Sequence, residues 1–369
     1  MSYEITCTNC GRPSRDLLDY RCQHCGKTLE VTLTRKFEEA QIQAHDYSAW
    51  RYRRFFPYVS AEDIVTLGEG WTPLVKFSDG LFFKLESLNP TGSFKDRGST
   101  VLVSALQKRV KAAGGCISED SSGNAGASIA AYSARADLKA KIYVPESVAG
   151  PKFSQIQHYG AEVAKVAGGR SKVMEEAQKI EEGKFYVGHL LHPLFRDGMR
   201  SLAYELAEQF DWDLPERVYL PVSAGTLLLG VLAGFKHLHE SNAISSIPIV
   251  VACQSRQVSP VYSRFKDMPY SPPEKVTSIA DALASTDPPL LKVMVNELQR
   301  TAGDAVLVEE NEILQAFREL VKKGFFVEPS SALAYAAYRK QLEIGEAPPD
   351  KRVVIILTGN GLKTTLKPD

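Results

Sequence analysis

Several things are scarce in this sequence of 369 residues, and each scarcity excludes something. Neither sign of charge is in surplus, with lysine plus arginine and aspartate plus glutamate equal at 44 each. No excess field is therefore available to gather nucleic acid or an anionic bilayer. No apolar run approaches ~20 residues, so there is no candidate transmembrane helix. The opening residues, Met1-Ser2-Tyr3-Glu4-Ile5-Thr6-Cys7, lack the basic and then apolar pattern of a secretory leader, and the expectation is a cytoplasmic protein. The chain has no internal repeat and no low-complexity tract. What remains, 44% hydrophobic and 24% charged residues, is ordinary for a globular protein. A chain this long exceeds one hydrophobic core, which predicts two domains plus an appendage.

Cysteine is also scarce, six in all, and unevenly spread. Cys116 and Cys253 lie in apolar, β-like runs and read as inert core thiols. The other four form two knuckles, Cys7-x2-Cys10-Gly11 and Cys22-x2-Cys25-Gly26. A Cys-x2-Cys turn brings two thiolates to one tetrahedral metal, and the following glycine allows the tight turn. Two such pairs so close predict a closed four-cysteine zinc ribbon, structural because no coordination position stays open. So small a segment buries little core, and metal binding would supply its folding energy. Disulfide bonding or redox activity is the alternative, which a cytosolic setting disfavours. Zinc ribbons also occur in nucleic-acid binders, but aromatic residues that could stack on bases are sparse here. Arg51-Tyr52-Arg53-Arg54 stands alone as a basic-aromatic run. The ribbon therefore reads as a packing or oligomer element, with no nucleic-acid partner.

Beyond the ribbon, Thr34 to about Ser60 is predicted to be a helix and linker. Short apolar strands then alternate with amphipathic helices. Leu81–Glu86, Gly115–Ser118, Ala140–Val144, Glu162–Val166, Phe185–Val187, Arg217–Pro221, Ile249–Ala252, Ala305–Val308 and Arg352–Leu357 read as strands. Continuously apolar strands alternating with helices predict an α/β protein with mostly parallel sheets covered on both faces.

One stretch organises the rest: Asn89-Pro90-Thr91-Gly92-Ser93-Phe94-Lys95-Asp96-Arg97-Gly98. It follows a buried strand, turns at Pro90 and Gly92, and begins a helix near Phe94 that Ser93 is placed to cap. Lys95 then falls in the first turn of a helix at the C-terminal edge of a sheet, where α/β proteins bind ligands. The positive end of the helix would lower the pKa of an amine held there, and a neutral amine is what Schiff-base chemistry requires.

This segment resembles the lysine segment of the fold-type II pyridoxal-phosphate enzymes, most closely the threonine synthase branch. Further segments similar to that family follow in order: Leu67-Gly68-Glu69-Gly70-Trp71-Thr72-Pro73-Leu74, Ser121-Ser122-Gly123-Asn124-Ala125-Gly126, Glu328-Pro329-Ser330-Ser331-Ala332 and Leu357-Thr358-Gly359-Asn360-Gly361-Leu362-Lys363. The resemblance implies two three-layer α/β lobes, with a ribbon at 1–33, a large cofactor lobe from 34–94 and 201–369, and a small lobe at 95–200. It implies that Lys95 carries pyridoxal 5'-phosphate covalently, that Ser121, Ser122 and Gly123 bind a substrate carboxylate, and that Asn124 meets the cofactor's ring oxygen. Ser223, Ala224, Gly225 and Thr226, between a strand and a helix, are expected to hold the cofactor phosphate through backbone amides. Thr358 is expected at the pyridine nitrogen, where a neutral hydroxyl suits elimination and replacement chemistry.

Threonine synthases place asparagine, serine and arginine around an Asn-Pro-x-Arg segment, and the matching stretch here is Gly188 to Gly198. Pro193 and Gly198 keep their places, while His189, His192, leucines and Phe195 occupy the polar positions. Arg196 is then the expected contact to a substrate phosphate. The activity implied first is conversion of O-phosphohomoserine and water to threonine and phosphate, by a homodimer acting on a small amino acid. Replacement or elimination on serine, O-phosphoserine or threonine, as in cysteate synthases and dehydratases, is the alternative. A non-catalytic ribbon protein is the third reading.

Overall fold

The computed structural model of the chain describes residues 2–364 and 366. In chain order the strands are β1 (Tyr3–Cys7), β2 (Pro13–Ser14), β3 (Leu29–Leu33), β4 (Leu74–Ser78), β5 (Leu81–Lys84), β6 (Cys116–Glu119) and β7 (Lys139–Pro145). They continue with β8 (Glu162–Val166), β9 (Lys184–Tyr186), β10 (Arg217–Pro221), β11 (Ile249–Ser255), β12 (Asp304–Val308) and β13 (Val353–Ile356). The chain divides after Trp71, Leu88 and Ser201 into two compact units, one containing the N-terminal segment and Asn89–Ser201, the other Thr72–Leu88 and Leu202–Thr364.

In the first unit β2, β1 and β3 form a small antiparallel sheet. Ile5, Cys7 and Leu29 of this sheet, together with Cys22 from the connection before β3, share one buried apolar cluster with Leu102, Val103 and Leu106 of α1 (Lys95–Ala112). A second sheet, ordered β8-β7-β6-β9, is parallel throughout. Helices α2 (Asn124–Arg135), α3 (Pro151–His158), α4 (Arg170–Gln178) and α5 (Pro193–Gly198) complete this unit, and α6 (Arg200–Gln209) follows. The helix expected between Thr34 and Ser60 is absent, replaced by short 3-10 turns at Glu39–Gln41 and Ala49–Phe55. Trp50, Tyr52, Phe55 and Phe56 are all buried there, too closely spaced for one helical face. The Trp50 indole N–H donates to the Thr100 hydroxyl at 2.8 Å, and the Val65 amide donates to Ser104 at 2.8 Å. Those bonds tie the segment through Trp71 to α1. The expected lobe boundaries at 94 and 200 compare with divisions after Leu88 and Ser201, and residues 34–71, expected in the large lobe, group with the first unit.

In the second unit the sheet order is β12-β11-β10-β13-β5-β4, with five parallel strands and β4 antiparallel at the edge. All four residues of β13 are buried, as are the last four of β10, which is why these strands read as unbroken apolar runs. Helices α7 (Thr226–Glu240), α8 (Pro260–Phe265), α9 (Leu291–Arg300), α10 (Glu310–Lys322) and α11 (Pro329–Glu343) accompany the sheet, α11 packing along β10, β11, β12 and β13. Among the described residues no helix is long and apolar enough to cross a membrane.

Candidate active site

The loop that precedes Lys95 is held by one carboxylate. The Asp96 side chain accepts the Thr91 amide at 2.7 Å, the Thr91 hydroxyl at 2.6 Å and the Ser128 hydroxyl at 2.6 Å. A buried acid in the first turn of α1 also suits the positive end of the helix. Two details differ from the sequence expectation: α1 begins at Lys95 with Phe94 in the cap position, and no side chain caps it. Ser93 is fully buried, and its hydroxyl has no hydrogen-bond partner among the described residues. Lys95 is half-buried, its Nζ 4.5 Å from the centre of the Phe94 ring and 5.9 Å from that of Phe195.

Ser121 to Gly123 leave the C-terminal edge of β6, and Asn124 opens α2. The Ser121 hydroxyl accepts the Gly123 amide at 3.2 Å, and no side chain caps the helix. Beside this loop lies a pair that sequence reasoning did not assemble. Glu119 is the last residue of β6, and His189 follows the neighbouring strand β9. The His189 amide donates to Glu119 Oε2 at 2.9 Å, and its Nδ1 lies 2.5 Å from Oε1. Burial pushes Glu119 up to about 7. Burial, with the Lys95 charge second, holds His189 well below the usual histidine value. The His189 ring stands edge-on to Phe195 at 5.8 Å, the same ring that Lys95 faces. Asp120 is also raised by burial and accepts the Tyr186 hydroxyl at 2.7 Å.

Arg196, expected at a substrate phosphate, lies elsewhere. It is buried, and its terminal nitrogens donate to the carbonyls of Leu191 at 3.1 Å, Leu190 at 3.3 Å and Leu29 of β3. Burial lowers its pKa to about 10. His192 caps α5, its Nδ1 accepting the Leu194 amide at 3.3 Å.

In the second unit Ser223 to Thr226 leave β10, and Thr358 lies two residues beyond the adjacent parallel strand β13. Gly225 is left-handed at φ +93°, and a Cβ there would lie 2.4 Å from the Met294 sulfur. That pinch turns the chain into the 15-residue α7, whose first amides have no intrahelical acceptor. The Ser223 hydroxyl accepts the Ser285 amide at 3.2 Å. The Thr358 hydroxyl is 2.9 Å from that of Ser331, which also accepts the Gly359 amide at 2.8 Å.

A family model described as "Pyridoxal-phosphate dependent enzyme" matches residues 65–359, which leaves out the ribbon and the segment after it. The chain belongs to that family. Threonine synthase of Methanocaldococcus jannaschii is 33% identical to this pyridoxal-phosphate-dependent enzyme, over 97% of this chain and 92% of its own. Threonine synthase of Methanosarcina acetivorans is 29% identical over 98% and 92%. Among solved structures, the processed form of threonine deaminase isoform 2 from Solanum lycopersicum superposes with a TM-score of 0.69 at 19% identity, covering 88% of this chain and 86% of its own. Maize serine racemase has a TM-score of 0.68 at 21% identity, covering 85% and 91%. At those identities the structural likeness speaks for the α/β fold-type II architecture.

The residues of this pyridoxal-phosphate-dependent enzyme fit the cofactor. Lys95 offers an amine at the head of α1, and the turn before α7 offers amides to a phosphate. The hydroxyl of Thr358 is oriented by Ser331, a partner the sequence reading left without a role. The enzyme also carries the four-cysteine cluster, with Cys7, Cys10, Cys22 and Cys25 all free of disulfide bonds. Their sulfurs lie within 4.8 Å of one another, with separations of 3.4 Å, 3.6 Å and 3.8 Å among them. Thiolates around a tetrahedral zinc lie about 3.8 Å apart, so the cluster has the dimensions of such a site.

Proposed function

We propose that this enzyme breaks a side-chain carbon–oxygen bond of a small α-amino acid, by elimination or replacement. When bound, pyridoxal phosphate supplies the electron sink that lets the α-proton and the leaving group depart. Lys95 would hold the cofactor and then carry the α-proton. The Ser121–Asn124 loop would bind the substrate carboxylate, with Asn124 also reaching the cofactor ring. Ser223, Ala224, Gly225 and Thr226 would hold the phosphate, and Thr358 would meet the ring nitrogen. The observation that carries this reading is Lys95 itself, at the first position of α1 and faced by two aromatic rings.

Two substrates fit the class. Similarity to threonine synthases favours O-phosphohomoserine. The placement of Arg196 on main-chain carbonyls favours a hydroxyamino acid such as serine or threonine, because that arginine no longer answers for a phosphate. Purified protein is expected to show a visible cofactor band, lost on borohydride treatment and absent in Lys95→Ala. Phosphate release from O-phosphohomoserine selects the first substrate, and ammonia release from serine or threonine selects the second. A colourless protein that releases neither refutes the enzymatic reading.

The ribbon cysteines Cys7, Cys10, Cys22 and Cys25 would bind one structural zinc. Metal analysis finding about one zinc per chain supports this, and none refutes it.

A further inference from the structure

Building on the pyridoxal-phosphate reading above, we infer that Glu119 and His189 form a proton-donating pair for the leaving oxygen, selecting an amino acid with a free β-hydroxyl over a phosphate ester. The two side chains sit at the C-terminal edge of neighbouring parallel strands, Glu119 directly before the Ser121–Asn124 loop. Ligands of such sheets bind at that edge. His189 and Lys95 contact the same Phe195 ring, which places the pair beside the reacting amine. Nδ1 of His189 is taken by Glu119, whereas Nε2 has no hydrogen-bond partner among the described residues. The side chain as a whole is only 7% exposed.

The surrounding charges argue the same way. Facing the pair are Asp120 from the end of β6, Tyr186 from β9, Lys95 from α1 and Arg170 from α4. Lys95 is committed to the cofactor and Arg170 is exposed. A phosphate dianion seated there would meet two buried carboxyl groups without a buried arginine to pair with. A hydroxyl meets no such penalty, but it needs a proton in order to leave, and a buried carboxyl titrating near neutrality can supply one.

The proton balance closes. Glu119 starts as the acid, donating to Nδ1, and the Nε2–H points to the hydroxyl oxygen. As the Cβ–O bond breaks with its electron pair on oxygen, Nε2 gives its proton to that oxygen and Nδ1 takes the proton of Glu119. The oxygen leaves as water, the α-proton remains with Lys95, and Glu119 ends as a carboxylate that solvent reprotonates.

The test compares leaving groups. Serine must gain a proton to lose its hydroxyl, whereas β-chloroalanine loses chloride without one. In the holoenzyme, Glu119→Gln and, as a second variant, His189→Gln are expected to slow serine turnover by roughly 10²–10⁴-fold. Both should leave β-chloroalanine turnover and α-proton exchange in heavy water within a few-fold of the original. Turnover of the chloride shows that each variant is folded and loaded. In ¹⁵N-histidine spectra the Nδ1 signal of His189 should shift as pH crosses the Glu119 titration at about 7, and not in Glu119→Gln. Equal losses on serine and β-chloroalanine would overturn the proposal. So would an original enzyme that prefers O-phosphoserine, O-phosphohomoserine or 2,3-diaminopropionate to hydroxyamino acids. Failure of the underlying reading looks different: the original protein would then show neither a cofactor band nor α-proton exchange.

Discussion

His192 is a base that burial has disarmed. Desolvation, with the Arg196 charge second, lowers its pKa to about 3, so the folded chain carries it neutral where the unfolded chain is protonated below about 6.5. The folded value is depressed, so its contribution to stability is complete above about 6.5 and erodes as pH falls towards 3. One such proton corresponds to a slope of about 1.4 kcal/mol per pH unit within that window. His192→Asn keeps an acceptor for the Leu194 amide and is expected to flatten the slope by about that amount. Urea unfolding at a series of pH values checks it. Glu119 acts in the opposite sense: its folded value is raised, so its contribution is complete below about 4.3 and lost as pH rises through about 7.

Two glycines set how α1 meets α5. A Cβ on Gly98 would lie 2.7 Å from Phe195, and one on Gly198 would lie 2.2 Å from the Arg97 carbonyl oxygen. The second contact is to main chain, which cannot swing aside. Gly198→Ala is therefore expected to cost about 3 kcal/mol in urea unfolding, at the upper end for overpacking. Arg196→Met, on the same short helix, should leave carbonyls of Leu29, Leu190 and Leu191 without donors. A loss of about 2–4 kcal/mol of stability is expected. The KM for a phosphorylated substrate should not change, and a selective rise in that constant would show the arginine to be a ligand after all.

Part of this architecture was legible in the sequence and part was not. Strand β10 lies where the apolar run predicted, because a strand buried on both faces carries its own signature. The cysteine knuckles were legible for a similar reason, since their spacing is local. The Glu119–His189 pair was not, being separated by 70 residues. Only the adjacency of β6 and β9 joins the two, and apolar periodicity does not encode strand order. Arg196 was misplaced for the same reason: one of its acceptors lies in β3, 167 residues earlier. Between Thr34 and Ser60, tertiary burial of crowded aromatics overrode a plausible helix.

For the molecule as a whole, the ribbon is continuous with a larger core. Ile5, Cys7, Cys22 and Leu29 are buried in the cluster that contains α1 and α2 residues. Removing the proposed zinc should therefore destabilise the first unit as well as the ribbon. Calorimetry with a strong chelator is expected to lower its unfolding midpoint by several degrees, in line with a loss of a few kcal/mol. A ribbon that melts alone while the main transition stays fixed would contradict this.

Arg196 and Arg200 both reach β3, donating to the carbonyls of Leu29 and Val31. Those two oxygens answer a cationic pair placed far downstream in the chain, so the appendage and the helices it touches must change together. A descendant that discarded the ribbon would leave Arg196 without its Leu29 acceptor and Arg200 without its Val31 acceptor, although Leu190, Leu191 and Asp197 would remain beside them, and compensating replacements at 196 and 200 should accompany the deletion. A shortened relative retaining both arginines would have to supply substitute acceptors from another segment.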